Sequence, residues 1–171
     1  MVNLNTILRK SKLMSGIDPK LIPESIDEFI HHVIASPSKK FIVGLDIGKQ
    51  KCGAAVSDEA LNIAIPMKIV STNMLSSYLD SLHAQLGHFG IVIGFPISLA
   101  NAFSISAFRT CQLIDKMSDV LNRNHIPIWF HDERFSTINS RTMFKHPNGG
   151  KLVDDLCAMS ILQEVLDIYS S

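Results

Sequence analysis

The hydrophobic pattern changes character near Lys40. Before it, Ile26, Phe29, Ile30, Val33 and Ile34 recur at helical spacing. They follow Pro23-Glu24-Ser25-Ile26-Asp27-Glu28, where proline sits early and acids fill the first turn, as at a helix start. Ala35-Ser36-Pro37-Ser38 reads as a linker. Beyond it, short apolar runs alternate with amphipathic stretches. Residues 40–46 and 52–57 read as strands joined by a turn from Gly48 to Gly53, and residues 62–70 as a third strand weakened by Pro66. Leu75, Leu79, Leu82 and Leu86 mark a helix, with Ser71 or Thr72 as its candidate cap. Ile91-Val92-Ile93 is a continuous apolar run of the kind a buried parallel strand shows. A second helix is expected along Ala107, Phe108, Cys111, Ile114, Met117 and Leu121, and a fifth strand over residues 126–130. A third helix is expected after Ser136 or Thr137, and a last one along Leu152, Leu156, Met159, Leu162 and Leu166. The order β-β-β-α-β-α-β-α-α predicts an α/β fold, a five-stranded mixed sheet with helices on both faces. Residues 1–39 form an N-terminal extension with one amphipathic helix, and residues 40–171 one domain.

Composition narrows the class. A chain of 171 residues suits a single domain, and 46% hydrophobic content is enough for a full core. Charged residues, at 19%, are too few for a disordered chain. No apolar run approaches the roughly 20 residues that span a bilayer, so no membrane partner is expected. Cys52, Cys111 and Cys157 form no CxxC pair and lie in apolar contexts, which predicts buried free thiols in a reducing compartment, the cytoplasm. Arg9, Lys10 and Lys12, with no acid among the first thirteen residues, leave organelle targeting open. Zero net charge argues against a dedicated, non-specific nucleic-acid binder, but basic residues cluster locally: Lys39 and Lys40, Lys49 and Lys51, and Arg134, Arg141, Lys145 and Lys151.

Those clusters border three carboxylates. Asp46 ends the run Phe41-Ile42-Val43-Gly44-Leu45, Glu133 closely follows Ile126 to Phe130, and Asp154 opens the last amphipathic stretch. Acids gathered at one end of a sheet can hold Mg²⁺ or Mn²⁺, which take oxygen ligands. A cation held so can activate water and clamp a phosphate. Each acid also has a plain structural reading. Asp46 can cap the turn before Gly48, Glu133 can pair with Arg134 or Arg141, and Asp154 and Asp155 can complement a helix dipole. The spacing D-x-G-x-x-x-x-G from Asp46 to Gly53 also suits actin-like ATPases and sugar kinases, which need two such domains where this length holds one. His131 is either a proton carrier or a half-buried strand histidine. Asp132 alternates with Glu133 and should face away from it. Ser136 and Thr137 have no histidine placed to activate them, which excludes a serine hydrolase.

At these motifs the chain resembles the YqgF/RuvX family of Holliday junction resolvase-like proteins and pre-ribosomal-RNA nucleases, in the ribonuclease H-like superfamily. The likeness runs from about Phe41 to Tyr169. GLDIGKQKCGAAVSD resembles the family's first-strand hairpin, IVIGFPIS its VGLP segment, HDERFSTINSR its D-E-R-x-[ST]-T string, and KLVDDLCAMSILQEVLD its terminal helix. The resemblance implies a ribonuclease H-like fold whose first three strands are antiparallel and last two parallel. By position it makes Asp46, Glu133 and Asp154 the metal-binding acids. Lys49, Lys51, Arg134, Arg141 and Lys151 would be the phosphate contacts. It implies a Mg²⁺- or Mn²⁺-dependent endonuclease or exonuclease acting on structured nucleic acid, with precursor ribosomal RNA as the leading substrate and a Holliday junction or other branched DNA as the alternative. The chain departs from the pattern at two places. Lys49-Gln50-Lys51 stands where the family usually has Thr-Lys-Arg, and Ser98-Leu99-Ala100-Asn101 replaces an Asn-Met-Asp-Gly turn. The second departure keeps a rival in view, a non-catalytic nucleic-acid or ribosome-binding module on the same fold. A ribosomal precursor is a possible partner, and the state is expected to be monomer or homodimer.

Overall fold

A computed structural model of the chain describes residues 3–35, 37, 39–97, 103–132 and 154–171, with the backbone alone at 154 and 155. Its centre is a mixed sheet. Strand β1 (Phe41–Ile47) pairs antiparallel with β2 (Lys51–Ser57), which pairs antiparallel with β3 (Ala64–Pro66) and with the short β4 (Val70–Ser71). On its other side β1 pairs in parallel with β5 (Phe89–Phe95), and β5 in parallel with β6 (Ile128–Asp132). The order is β3-β2-β1-β5-β6. The expected sheet is therefore present, with its third strand in two pieces. Pro66 has no N–H to give a ladder, and the chain leaves β3 there, on the sheet's edge, before rejoining β2 as β4.

Alternation along the strands builds two cores. Val43, Leu45, Ile91, Ile93, Phe95, Ile128 and Phe130 face one side. There they meet α3 (Leu75–Leu86), α4 (Ile105–Lys116) and α5 (Ser118–Arg123). Ile42, Ala55 and Val92 face the other side. They meet α2 (Ile26–Ile34) and the last helix, α6 (Asp154–Tyr169). One helix was expected over residues 107–121. The chain instead breaks at Met117, whose backbone (φ −91°, ψ 4°) caps α4 before α5 begins. The helix expected after Ser136 or Thr137 lies outside the described residues. Cys52 and Cys111 are buried and Cys157 is partly so. Burial pushes the Cys111 thiol up to about 11, which keeps it protonated at neutral pH.

The N-terminal segment carries more structure than one helix. Asn3 caps α1 (Leu4–Lys10), two 3₁₀ turns follow at Lys12–Met14 and Pro19–Leu21, and Ser25 caps α2 through the N–H of Glu28. The segment straddles the sheet. Leu8, Met14, Ile17 and Ile22 enter the first core, and Phe29, Ile30 and Val33 the second. The Asn122 side chain stitches it to α5, donating to the Gly16 carbonyl and accepting from the Asp18 N–H.

Both helices on the second face sit on glycines. A Cβ on Gly44 would lie 2.8 Å from the Ala158 carbonyl oxygen and 2.8 Å from Leu162 Cβ. A Cβ on Gly90 would lie 2.6 Å from Val33 Cγ2 and 2.8 Å from the Phe29 ring. The neighbour at Gly44 includes helix backbone, which cannot rotate aside. Gly44→Ala is therefore expected to destabilise the protein by about 1–3 kcal/mol, as overpacking does, outweighing the smaller gain from a stiffer unfolded chain. Urea denaturation monitored by circular dichroism checks this.

Candidate active site

Strands β1, β5 and β6 are parallel, so their carboxyl ends share one edge of the sheet. The register sets Leu45 beside Ile93 and Ile93 beside Phe130, so Asp46, Gly94 and His131 form the next row across three strands. Asp46 also pairs with Gly53 on β2 and is half-buried. By alternation it points to the side of Gly44, the face covered by α6. That helix runs back along β1. Ala158 and Leu162 rest on Gly44, and Gln163 bonds the backbone N–H of Ala64, beside Ser57 and Ile42 at the start of β1. Asp154 lies one helical turn before Ala158, so α6 begins at the edge where β1 ends, on the face of Asp46.

The turn after Asp46 is held in place. Gly48 N–H donates to the Lys51 carbonyl at 2.9 Å, and Thr72 binds the turn twice: its N–H donates to the Gln50 carbonyl at 3.0 Å and its hydroxyl to the Gly48 carbonyl at 3.4 Å. Thr72 had the look of a helix cap, but it serves the hairpin instead. Lys49 and Lys51 are exposed on this turn. Two other basic residues singled out in the sequence make solvated pairs, Arg9 with Glu24 and Lys39 with Glu59.

At the far side of the row, His131 is half-buried and its Nε2 lies 2.8 Å from Glu164 Oε2 on α6. Phe130 is buried on the opposite face, and Trp129 packs partly buried against Phe29. Asp132 is the last residue of β6, opposite Phe95. Glu133 comes next in the chain and, with Arg134, Arg141, Lys145 and Lys151, lies outside the described residues, as does the turn at Ser98 to Asn101. Of Asp154 only the backbone is described. Among the described residues no group of three or more His, Cys, Asp and Glu side chains gathers.

Acids elsewhere show ordinary structural causes. Asp58 accepts from the N–H groups of Ile63 and Asn62, which hold its carboxyl below the usual range, and a side-chain hydrogen bond from Arg123 does the same for Asp80. Both close turns or helix contacts far from the carboxyl ends of β1, β5 and β6. Sequence reasoning missed Thr72 in its turn-holding role and Glu164 as the partner of His131. The first looks like any capping threonine and the second like any solvated helix acid.

A sheet with a hairpin first, parallel strands after it, and a final helix laid against β1 is the ribonuclease H-like arrangement. Residues 40–168 match the family model described as "RuvX: Holliday junction resolvase", and the chain belongs to that family. It is 33% identical to a protein of Ehrlichia canis (strain Jake) named "Putative pre-16S rRNA nuclease", over 86% of this chain and 96% of the relative. It is 32% identical to one of the same name from Cereibacter sphaeroides (strain ATCC 17025 / ATH 2.4.3), over 86% and 93%. The fold matches that of Thermus thermophilus RuvC with a TM-score of 0.51 at 10% identity, over 76% of this chain and 96% of the other. No described helix is long and apolar enough to cross a membrane.

Proposed function

We propose that the protein is a metal-dependent nuclease that hydrolyses phosphodiester bonds in precursor ribosomal RNA. One observation carries the reading: Asp46, one residue before the end of β1, lies on the face and at the edge where α6 begins with Asp154. The relatives' shared name supports the RNA substrate. The family's description supports a second reading with the same chemistry on a Holliday junction.

Asp46, Glu133 and Asp154 would hold Mg²⁺ or Mn²⁺, since carboxylate oxygens are the ligands these hard cations take. A bound divalent cation lowers the pKa of water and neutralises charge on a phosphate. The chain's own groups do the rest. Lys49 and Lys51, exposed on the turn after Asp46, receive phosphates beside the scissile one, as would Arg134, Arg141 and Lys151. Such contacts position the backbone without reading sequence. The half-buried setting of Asp46 screens its charge less than bulk water would, which strengthens its hold on a cation. Residues 40–171 carry this chemistry, and residues 1–39 support it.

Three results are expected. Asp46→Asn keeps the shape and loses the charge, so it should fold normally and lose its cleavage activity, because the cation that would activate water is no longer held. Incubating the pure protein with matched precursor 16S RNA and junction DNA tests this and the substrate together; wild-type rates from the mutant in metal-free buffer would sink the mechanism. Mg²⁺ or Mn²⁺ should support cleavage and Ca²⁺ little, because Ca²⁺ takes longer and looser coordination. Full activity in excess EDTA would remove the cation from the account. Finally, Lys49→Ala with Lys51→Ala should lower the slope of log affinity against log salt by about 0.7 for each phosphate of single-stranded RNA that is no longer neutralised. A filter-binding titration with an unchanged slope would show both lysines to be merely solvated.

A further inference from the structure

The carboxyl end of β6 is gripped from three directions, and two of the grips come from residues with no place among the expected acids. The first is the ordinary ladder: Gly94 pairs with His131 and Phe95 with Asp132. The second comes from the N-terminal segment. The β6 backbone at Phe130 faces outward on the sheet's edge. There the Asn5 side chain supplies what a neighbouring strand would, its Nδ2 donating to the Phe130 carbonyl at 3.0 Å and its Oδ1 accepting from the Phe130 N–H at 2.9 Å. Asn5 is 1% exposed, so water cannot replace either bond. The third is the 2.8 Å contact of His131 with Glu164, both side chains largely screened from solvent.

These grips are not general glue. Glu164 has a neighbour, Gln163, that also ties α6 to the sheet, but to the opposite edge, through the Ala64 N–H and the Asn62 carbonyl. Adjacent residues thus fasten one helix to two different strands. Of the two, Glu164 reaches β6, at the residue in the row of Asp46. Asn5 grips the same strand one residue earlier, from the opposite side.

We propose that Asn5 and Glu164 are positioning residues, which lock the end of β6 in register with Asp46 and with the start of α6. The N-terminal segment is then part of the active-site scaffold. The proposal rests on the nuclease reading, in which Glu133 follows directly from that strand end. A carboxylate held loosely binds its cation poorly even when its own chemistry is intact. Groups that orient metal ligands typically carry about 10–100-fold in affinity or activity.

The experiment uses the full chain with Asn5→Ala, Glu164→Ala, Glu164→Gln and Gln163→Ala. Mn²⁺ binding is measured calorimetrically without nucleic acid. Cleavage of a precursor 16S RNA transcript is measured per folded molecule, the folded fraction coming from denaturation curves. Asn5→Ala and Glu164→Ala should raise the Mn²⁺ dissociation constant about 10–100-fold and lower kcat in step, with KM for the RNA unchanged. Glu164→Gln keeps an acceptor for the imidazole N–H and should restore most of both. Gln163→Ala should lower stability and leave Mn²⁺ affinity as it was. Should Asn5→Ala fail to fold, the Glu164 pair decides alone. Wild-type Mn²⁺ affinity and kcat in Glu164→Ala would overturn the proposal while leaving the nuclease reading standing, and so would a Gln163→Ala variant that loses Mn²⁺ as Glu164→Ala does. A wild-type protein that binds no Mn²⁺ would overturn the nuclease reading and the positioning role together.

Discussion

Helix backbone comes against the sheet at Gly44, where a Cβ would lie 2.8 Å from the Ala158 carbonyl oxygen of α6. Much of the second face follows from that approach. With Ala158 and Leu162 seated on one glycine, α6 has little freedom to slide along β1. Gln163, the next residue, accepts from the Ala64 N–H and ties the same stretch of the helix to β3. The start of the helix therefore falls one turn beyond Gly44, level with the end of β1. A larger residue at position 44 would lift the helix and carry Asp154 away from Asp46 without touching either. Gly90, paired with Ile42 on the neighbouring strand, gives α2 an equivalent seat.

The two edges of the sheet are treated differently. β3 is three residues long and ends in proline, which leaves it a poor template for another strand. β6 is longer and apolar, with Ile128 and Phe130 in the first core. Left bare, its outward N–H and C=O groups would need water or a partner. The N-terminal segment supplies the cover, with α1 on one side of the sheet and α2 on the other. Several large side chains from it are fully buried, among them Leu8, Ile22, Phe29 and Ile30. Each contributes about 1.5–3 kcal/mol by leaving water, an upper figure because unfolded chains already bury part of their surface. A segment that shares both cores this way has a structural claim whatever its chemistry.

The readable parts of the sequence were those in which one residue's neighbours along the chain determine its place. β1, β5 and β6 stand out because apolar β-branched runs leave no other burial, and β2 because it returns from the glycine-bounded turn after β1. Asp46 was legible for the same reason: a charge ending such a run has to emerge at a strand end. α1 was not legible. Leu4 to Lys10 is seven residues, too short for helical spacing to repeat, and its one fully buried polar residue, Asn5, reads as a surface position. The split of the third strand was half visible in Pro66. The break at Met117 was not, since Ile114, Met117 and Leu121 keep helical spacing across it. Glu164 could not be singled out at all. Its partner lies 33 residues earlier, and a glutamate on a helix is most often only solvated.

Topology explains why chemistry would concentrate at one edge. A hairpin sends β2 back, so β1 and β2 end at opposite edges. The parallel set β1, β5 and β6 finishes together, with the short β4 ending beside them, and residues leaving those strands meet at a common rim, the place where open α/β sheets generally bind ligands. Asp46 sits at this rim, and Glu133 follows from it in the chain. α6 contributes from the same rim because it runs antiparallel to β1 and so begins where β1 ends. The ends of β1 and β6 and the start of α6, distant in sequence, thus share one rim. The cost is precision. A rim built from three separately anchored elements is only as sharp as the contacts that hold them against one another, and β6, the outermost of the three strands, has one neighbouring strand among the described residues. The bonds from Asn5 and Glu164 fall on that strand, where the ladder alone is weakest.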